Sequence, residues 1–432
     1  MRRQDFEWDG AMRTAARVRG WSSKLEPYVD VSEIFHQVVG RGDEALEEVR
    51  ADEEVVIGLT NRYDSTARAR TTLKVDPDLA HAALAELEPS LRGAFDAAAA
   101  NIRAVAKKQL VEPAPVDLPE GHRVTVREVP VAAAGIYAPG GRAVYPSSVL
   151  MCVIPARVAG VERVALASPP DEEGHINPAV LAAAALCEVD EIYAMGGAQA
   201  IFALAYGTQT VAPVDVVAGP GNEWVRAAKR AAYGQVGIDS LAGPSELMVV
   251  AGEETNPEWA ALDLCAQAEH GAEGPLVVAA VERAILDAVA DATDRVAKER
   301  RGVGNAPLAL VQVPDISDAI DFANAFAPEH LELFDGDSTY LAEKVTAAGC
   351  VFTGPWGATA FGDYIAGSNH VLPTGGAGRF SGPLGPGVFR RKISTVEVSA
   401  KAAAKLAPHV DVLARAEGFP VHGESAMIRV EP

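Results

Sequence analysis

From about residue 122 onward, short apolar runs alternate with helical ones, and this alternation restricts the chain to few folds. RVTVREVPV (123–131), ERVALASPP (162–170), EIYAMGG (191–197) and VDVVAGPG (214–221) read as strands. PAVLAAAALCE (178–188), AQAIFALAYG (198–207) and NEWVRAAKRAAYG (222–234) read as helices between or after them. A second series begins near 245: ELMVVAG, a helix through His270, PLVVAAV, the helix RAILDAVADATDRVAKER, LALVQV, another helix, then HLELF and CVFTGP. Strands and helices in this rhythm predict parallel sheets built from βαβ units. The two series are of similar size, yet no residue-level repeat links them.

The chain has 432 residues, which suits roughly two or three domains. Apolar residues make up 49% and mean hydropathy is +0.07. No window reaches the ~18 unbroken apolar residues of a membrane span. Arg2 and Arg3 are followed by no apolar stretch, so no secretory signal is expected. A formal charge of −21 opposes binding to nucleic acid and to anionic lipid. Cys152, Cys187, Cys265 and Cys350 match no metal or redox spacing. Cys152 in VLMCVIP and Cys350 in CVFTGP lie in strand-like runs and read as buried thiols of a reducing cytoplasm.

Residues 1–27 read as an arm, and 30–110 as mostly helical, with a break at Pro89. The charged segment near 46–59 reads as a solvated helix face. Residues 365–387 are rich in Gly and Pro, and so long an irregular stretch in a compact chain is usually functional. The tail from 393 carries one strand, one helix and the His422 segment. Its size predicts docking on another surface, such as a second subunit.

Gln267 and His270 of QAEHG, three apart in a predicted helix, would share one face. An amide oxygen beside an imidazole resembles half of a metal site. Asp363 and His422 are candidates for the other half, although spacing alone cannot pair them. Glu329 and His330 of APEHLELF fall at a helix-to-strand change, where both can reach one cavity. A carboxylate and an imidazole together suit acid–base work near neutral pH, although an isolated pair is more often at the surface. Glycine clusters at GIYAPGGRAVYPSS, AMGGAQA and VAGPGNEW follow strands, but no GxGxxG is present. Each is either a tight turn of an α/β fold or a place where backbone meets phosphate. Three in one block point to a nucleotide-sized ligand. His36, His81, His122, His175 and His409 have no partner motif and read as surface or structural.

GIYAPGGRAVYPSSVLM, GGAQAIFALAYG, AGPGNEWV, AGPSE, QAEHG, APEHLE, GDYIAGSNHVLPT, RFSGPL and RAEGFPVHGE occur in this order. Together they resemble the histidinol dehydrogenase family, from about residue 30 to the C-terminus. The resemblance implies an α/β fold of two Rossmann-like domains with incomplete dinucleotide-binding topology. A small N-terminal arm and a small C-terminal tail domain that crosses to the partner would complete it. The expected boundaries are 1–27, 28–244, 245–380 and 381–432. It implies one Zn2+ per subunit on Gln267, His270, Asp363 and His422, and NAD at Tyr137, Gln199 and Asn222. Glu329 and His330 would be catalytic. Ser245, His370 and Glu417, with Gln267, His270, His330, Asp363 and His422, would hold L-histidinol. It also implies a cytoplasmic homodimer that shares its active sites through the tail and carries out a four-electron oxidation to L-histidine.

The segment near 46–59 and PWGATAF (355–361) depart from the family pattern without removing a ligand. Three other readings stay open. A dehydrogenase of the same fold would oxidise another small polar alcohol. A zinc hydrolase would use Glu329 to activate metal-bound water, without NAD. A structural metal-binding protein would have no use for the Glu329–His330 pair.

Overall fold

The computed structural model describes residues 1–22, 29–46, 73–140, 144–171, 174–271, 273–300, 303 and 305–430. The charged run near 46–59 lies outside them from residue 47 on. The chain forms two compact units, Met1–Lys108 with Ala132–Phe389, and Gln109–Val131 with Arg390–Pro432. In chain order the strands are β1 (Arg2–Phe6), β2 (Ala114–Asp117), β3 (Arg123–Pro130), β4 (Ala133–Tyr137), β5 (Arg163–Ser168), β6 (Glu191–Ala194), β7 (Val216–Ala218), β8 (Gly237–Ile238), β9 (Leu247–Ala251), β10 (Leu276–Ala280), β11 (Pro307–Gln312), β12 (His330–Leu333), β13 (Cys350–Thr353) and β14 (Arg390–Glu397).

The larger unit holds two sheets, ordered β6-β5-β4-β7-β8 and β1-β11-β10-β9-β12-β13. Every pairing in both is parallel. Counted within each block, both sheets run 3-2-1-4-5, which is the doubly wound order short of its sixth strand. The duplication that residue comparison does not reveal is therefore present in topology. β1, from the expected arm, extends the second sheet beside β11.

β4, β9 and β10 are buried at every residue, which is why they read as continuous apolar runs. Alternate residues still face opposite layers. Met248, Val250, Val277 and Ala279 pack with the helices Ala11–Ser22 and Ile316–Phe326. Leu247, Val249, Leu276 and Val278 pack with Pro257–Ala268 and Arg283–Glu299. No described helix is long and apolar enough to cross a membrane.

Two local expectations change. VLMCVIP lies in the helix Pro146–Ala159, buried on all sides, so it shows no helical period. The signal that distinguishes it is Pro146 at the first turn. RVTVREVPV does not join the parallel series. It forms β3 of the smaller unit, antiparallel to β14 and β2. AAGIY opens the first parallel block instead, as β4. The smaller unit adds the helices Ala400–Ala416 and Pro420–Met427, of which the first buries only Ala402, Ala407 and Ala414.

Candidate functional site

Ser245 and Glu246 immediately precede β9, and Glu329 immediately precedes β12. The register sets His330 opposite Leu247, so the two segments lie side by side at the amino ends of the second sheet. Glu329 Oε2 accepts the Glu246 N–H at 2.8 Å, and Ser245 also bonds its side chain. His330 Nδ1 lies 3.1 Å from the Glu246 carbonyl and 3.6 Å from Glu329 Oε2. A carbonyl oxygen only accepts, so Nδ1 carries a proton and Nε2 is the ring atom left for chemistry. Nε2 points at Asp363 Oδ1, 3.3 Å away. Glu329 and His330 are 4% and 3% exposed, so this pair is not a surface feature.

Burial pushes the Glu329 carboxyl up to about 7, against the opposing pull of His330 and with some help from Glu246. Burial works against the His330 imidazolium, but Glu329 and Asp363 outweigh it and raise the ring to about 9. Asp363 is half-buried, which works against its charge, yet His330 holds its carboxyl below the usual range.

Gln267 and His270 do not share a helix. The helix ends at Ala268, and His270 lies in the following turn, its N–H donating to the Gln267 carbonyl at 3.2 Å. Gly271, at φ 146°, takes the chain away from the helical path. Gln267 is buried and its amide nitrogen has no hydrogen-bond partner among the described residues, whereas His270 is exposed. With the amide turned over, the orphan atom is the carbonyl oxygen, a hard donor suited to a divalent cation. Asp363 sits in the short helix Thr359–Tyr364, and the charge of His270 bears on it. Gln267, His270 and Asp363 thus supply an N/O donor set that fits zinc. Among the described residues no three His, Cys, Asp or Glu side chains converge as a complete cage. Glu417, at the end of the helix Ala400–Ala416, and His422, in Pro420–Met427, are exposed residues of the smaller unit.

His370 Nδ1 donates to the Asp363 carbonyl at 2.8 Å, and its Nε2 lies 3.2 Å from Ser148 Oγ. Ser148 is in the first turn of the helix that follows β4. This contact joins the carboxyl edge of the first sheet to the amino edge of the second.

Tyr137, Gln199 and Asn222 follow or end β4, β6 and β7. The strand order reverses between β4 and β7, the crevice where open α/β sheets bind ligands. Tyr137 is fully buried and its hydroxyl accepts the Gly197 N–H at 3.2 Å. Asn222 Oδ1 caps the helix Glu223–Ala232, accepting from Trp224 and Val225 at 3.1 Å each. Gln199, 2% exposed, lies in the first turn of Gly197–Tyr206. Two of the three are thus engaged in shaping the turns. Gly219 has φ +120°, and a Cβ there would meet the Tyr137 carbonyl oxygen at 2.1 Å. Turn packing alone requires this glycine, while the crevice and two helix N-termini fit a dinucleotide phosphate.

Two residues were not singled out from sequence. Glu332, two places on from His330, accepts from the Thr359 N–H at 3.0 Å and hydroxyl at 2.5 Å, at the start of the helix bearing Asp363. An acid inside the apolar run HLELF was the available signal. Arg19 pairs with Glu246 at 2.8 Å, and nothing near it in sequence marks it. All four cysteines are free, and three are buried. Burial raises Cys187 to about 12 and Cys265 to about 11.

The family model for histidinol dehydrogenase matches residues 22–430. A histidinol dehydrogenase from Nitrosomonas europaea is 43% identical over 408 residues, 93% of this chain and 92% of that protein. One from Thermobifida fusca is 44% identical over 386 residues, 87% of this chain and 88% of that protein. The crystal structure of histidinol dehydrogenase from Elizabethkingia anophelis superposes with a TM-score of 0.89 at 31% identity, covering 99% of this chain and 98% of that one.

Proposed function

This chain belongs to the histidinol dehydrogenase family, and from that premise we propose that it oxidises L-histidinol to L-histidine through L-histidinaldehyde. The observation that carries the reading is the buried Glu329–His330 pair, held by one backbone segment with His330 Nε2 facing Asp363. Two NAD are used in succession, and when bound each accepts a hydride. The first α/β block (28–244) takes the dinucleotide, with Tyr137, Gln199 and Asn222 shaping its crevice. Gln267, His270, Asp363 and His422 would hold one zinc ion per subunit, whose contribution is to orient the substrate's imidazole and amine.

In the first oxidation, His330 Nε2 takes the hydroxyl proton as hydride leaves the carbon. Its Nδ1–H stays on the Glu246 carbonyl, so the ring does not turn. Nε2 must be unprotonated for this step, and Glu329 and Asp363 beside it favour the imidazolium. Asp363 therefore has to give up this contact, as it would in holding the zinc ion. In the second oxidation, Glu329 takes a proton from the water that adds to the aldehyde. A carboxyl raised to about 7 is a far stronger base than an ordinary one. Ser245, His370 and Glu417 complete the substrate contacts. The proposed protein is a cytoplasmic homodimer whose tail crosses, so that Glu417 and His422 serve the other subunit's site.

The test is NADH formed per L-histidinol consumed, with and without a chelator. Two NADH, lost on chelation and restored by zinc, is the expected result. One NADH would remove Glu329 from the second step. None, from folded and metal-loaded protein, would favour another polar alcohol as substrate.

A further inference from the structure

Glu246 turns both of its main-chain polar groups on the catalytic pair. Its N–H donates to Glu329 at 2.8 Å, and its carbonyl accepts from His330 N at 3.2 Å and from Nδ1 at 3.1 Å. Its side chain, 4% exposed, is gripped by the Arg19 fork at 2.8 and 3.1 Å. Glu246 Oε1 also accepts the Gly375 N–H at 3.0 Å, which ties in the loop after His370. Arg19 reaches the other arm of the site as well. Nε donates to the Phe326 carbonyl at 3.0 Å, Nη2 to the Ala327 carbonyl at 3.3 Å, and the guanidinium lies 3.9 Å from the Phe326 ring centroid.

Ala327 stands at φ 49°, a left-handed conformation that strains a residue with a Cβ. Pro328 and the catalytic pair follow directly. Arg19 comes from the helix Ala11–Ser22 and lies outside the stretch matched by the family model. We propose that Arg19 and Glu246 are positioning residues of the catalytic pair. Their ion pair fixes the Glu246 main chain, and the remaining Arg19 donors fix the strained approach to Glu329. The N-terminal helix is thereby part of the catalytic apparatus although it touches no reacting atom.

The inference rests on the proposed roles of Glu329 and His330, and the test separates the two. Arg19→Met is expected to lower kcat on L-histidinol about 100-fold, while KM moves less than about threefold. In protein with isotope-labelled histidine, the exchange-protected Nδ1–H resonance of His330 should be lost. If Arg19→Met does not fold, Arg19→Met/Glu246→Gln, which leaves no buried charge unpaired, gives the same readouts. Arg19→Lys keeps the charge without the fork and should recover only part of kcat. A folded Arg19→Met with near wild-type kcat, or with an intact Nδ1–H resonance, would overturn the proposal. Full activity in Glu329→Gln and His330→Asn would instead overturn the catalytic reading, whatever the resonance does.

Discussion

Glu329 is pulled two ways, since burial favours its neutral form while the Glu246 N–H and His330 favour its charge. Glu329→Gln keeps the shape and removes the proton acceptor. Aldehyde oxidation should slow about 100-fold or more, and alcohol oxidation far less. Single-turnover rates with L-histidinaldehyde and L-histidinol decide this, and equal losses would mean a different role for Glu329. Glu332 makes a second test at this scale. Burial raises it to about 8, with Asp263 adding to the effect, and burial raises Asp263 to about 6. The fold therefore binds protons that the unfolded chain releases in the ordinary carboxylate range. Metal-free protein should lose stability as pH rises from that range to about 8. Denaturation midpoints at about pH 5 and about pH 9 should differ less in Glu332→Gln than in wild type. Parallel shifts in both proteins would refute the assignment.

Among the elements, the β7 turn shows how packing and ligand binding can demand the same residue. Buried Lys229 pairs with Asp239 and donates to the Gly219 carbonyl at 3.0 Å, and Asp239 accepts the Gly219 N–H at 2.8 Å. Gly219→Ala puts a Cβ against Tyr137 in a conformation that disfavours it. A loss of about 1–3 kcal/mol is expected from the backbone conformation alone, together with weaker NAD binding. Urea midpoints and NAD titration measure the two effects. An unchanged midpoint would show that the turn relaxes freely. Three expectations changed, each where the local sequence lacks the deciding signal. VLMCVIP is apolar on every side, so no period distinguishes helix from strand. RVTVREVPV reads correctly as a strand, but nothing local says which sheet receives it. QAEHG reads as helix up to its glycine, and that put His270 inside the helix rather than in the turn after it.

At the scale of the molecule, the tail unit carries His422 and Glu417 on its exposed surface. If tails cross between subunits, a His422→Ala chain and a His330→Ala chain complement each other. Equal mixing should restore about a quarter of wild-type activity, one intact site in half of the dimers. No recovery, with heterodimers demonstrated, would exclude crossed tails. The sequence by itself determined the α/β class, the order of most elements and the adjacency of Glu329 to His330. These follow from local period, from turn residues and from covalent neighbourhood, all of which are readable along the chain. Tertiary structure alone decided that two blocks share one topology, because unlike residues fill equivalent buried strands. It also decided that Asp363 meets His330 and that Arg19 grips Glu246. Such contacts join residues far apart in sequence, and only strand register and helix packing bring them within hydrogen-bonding distance.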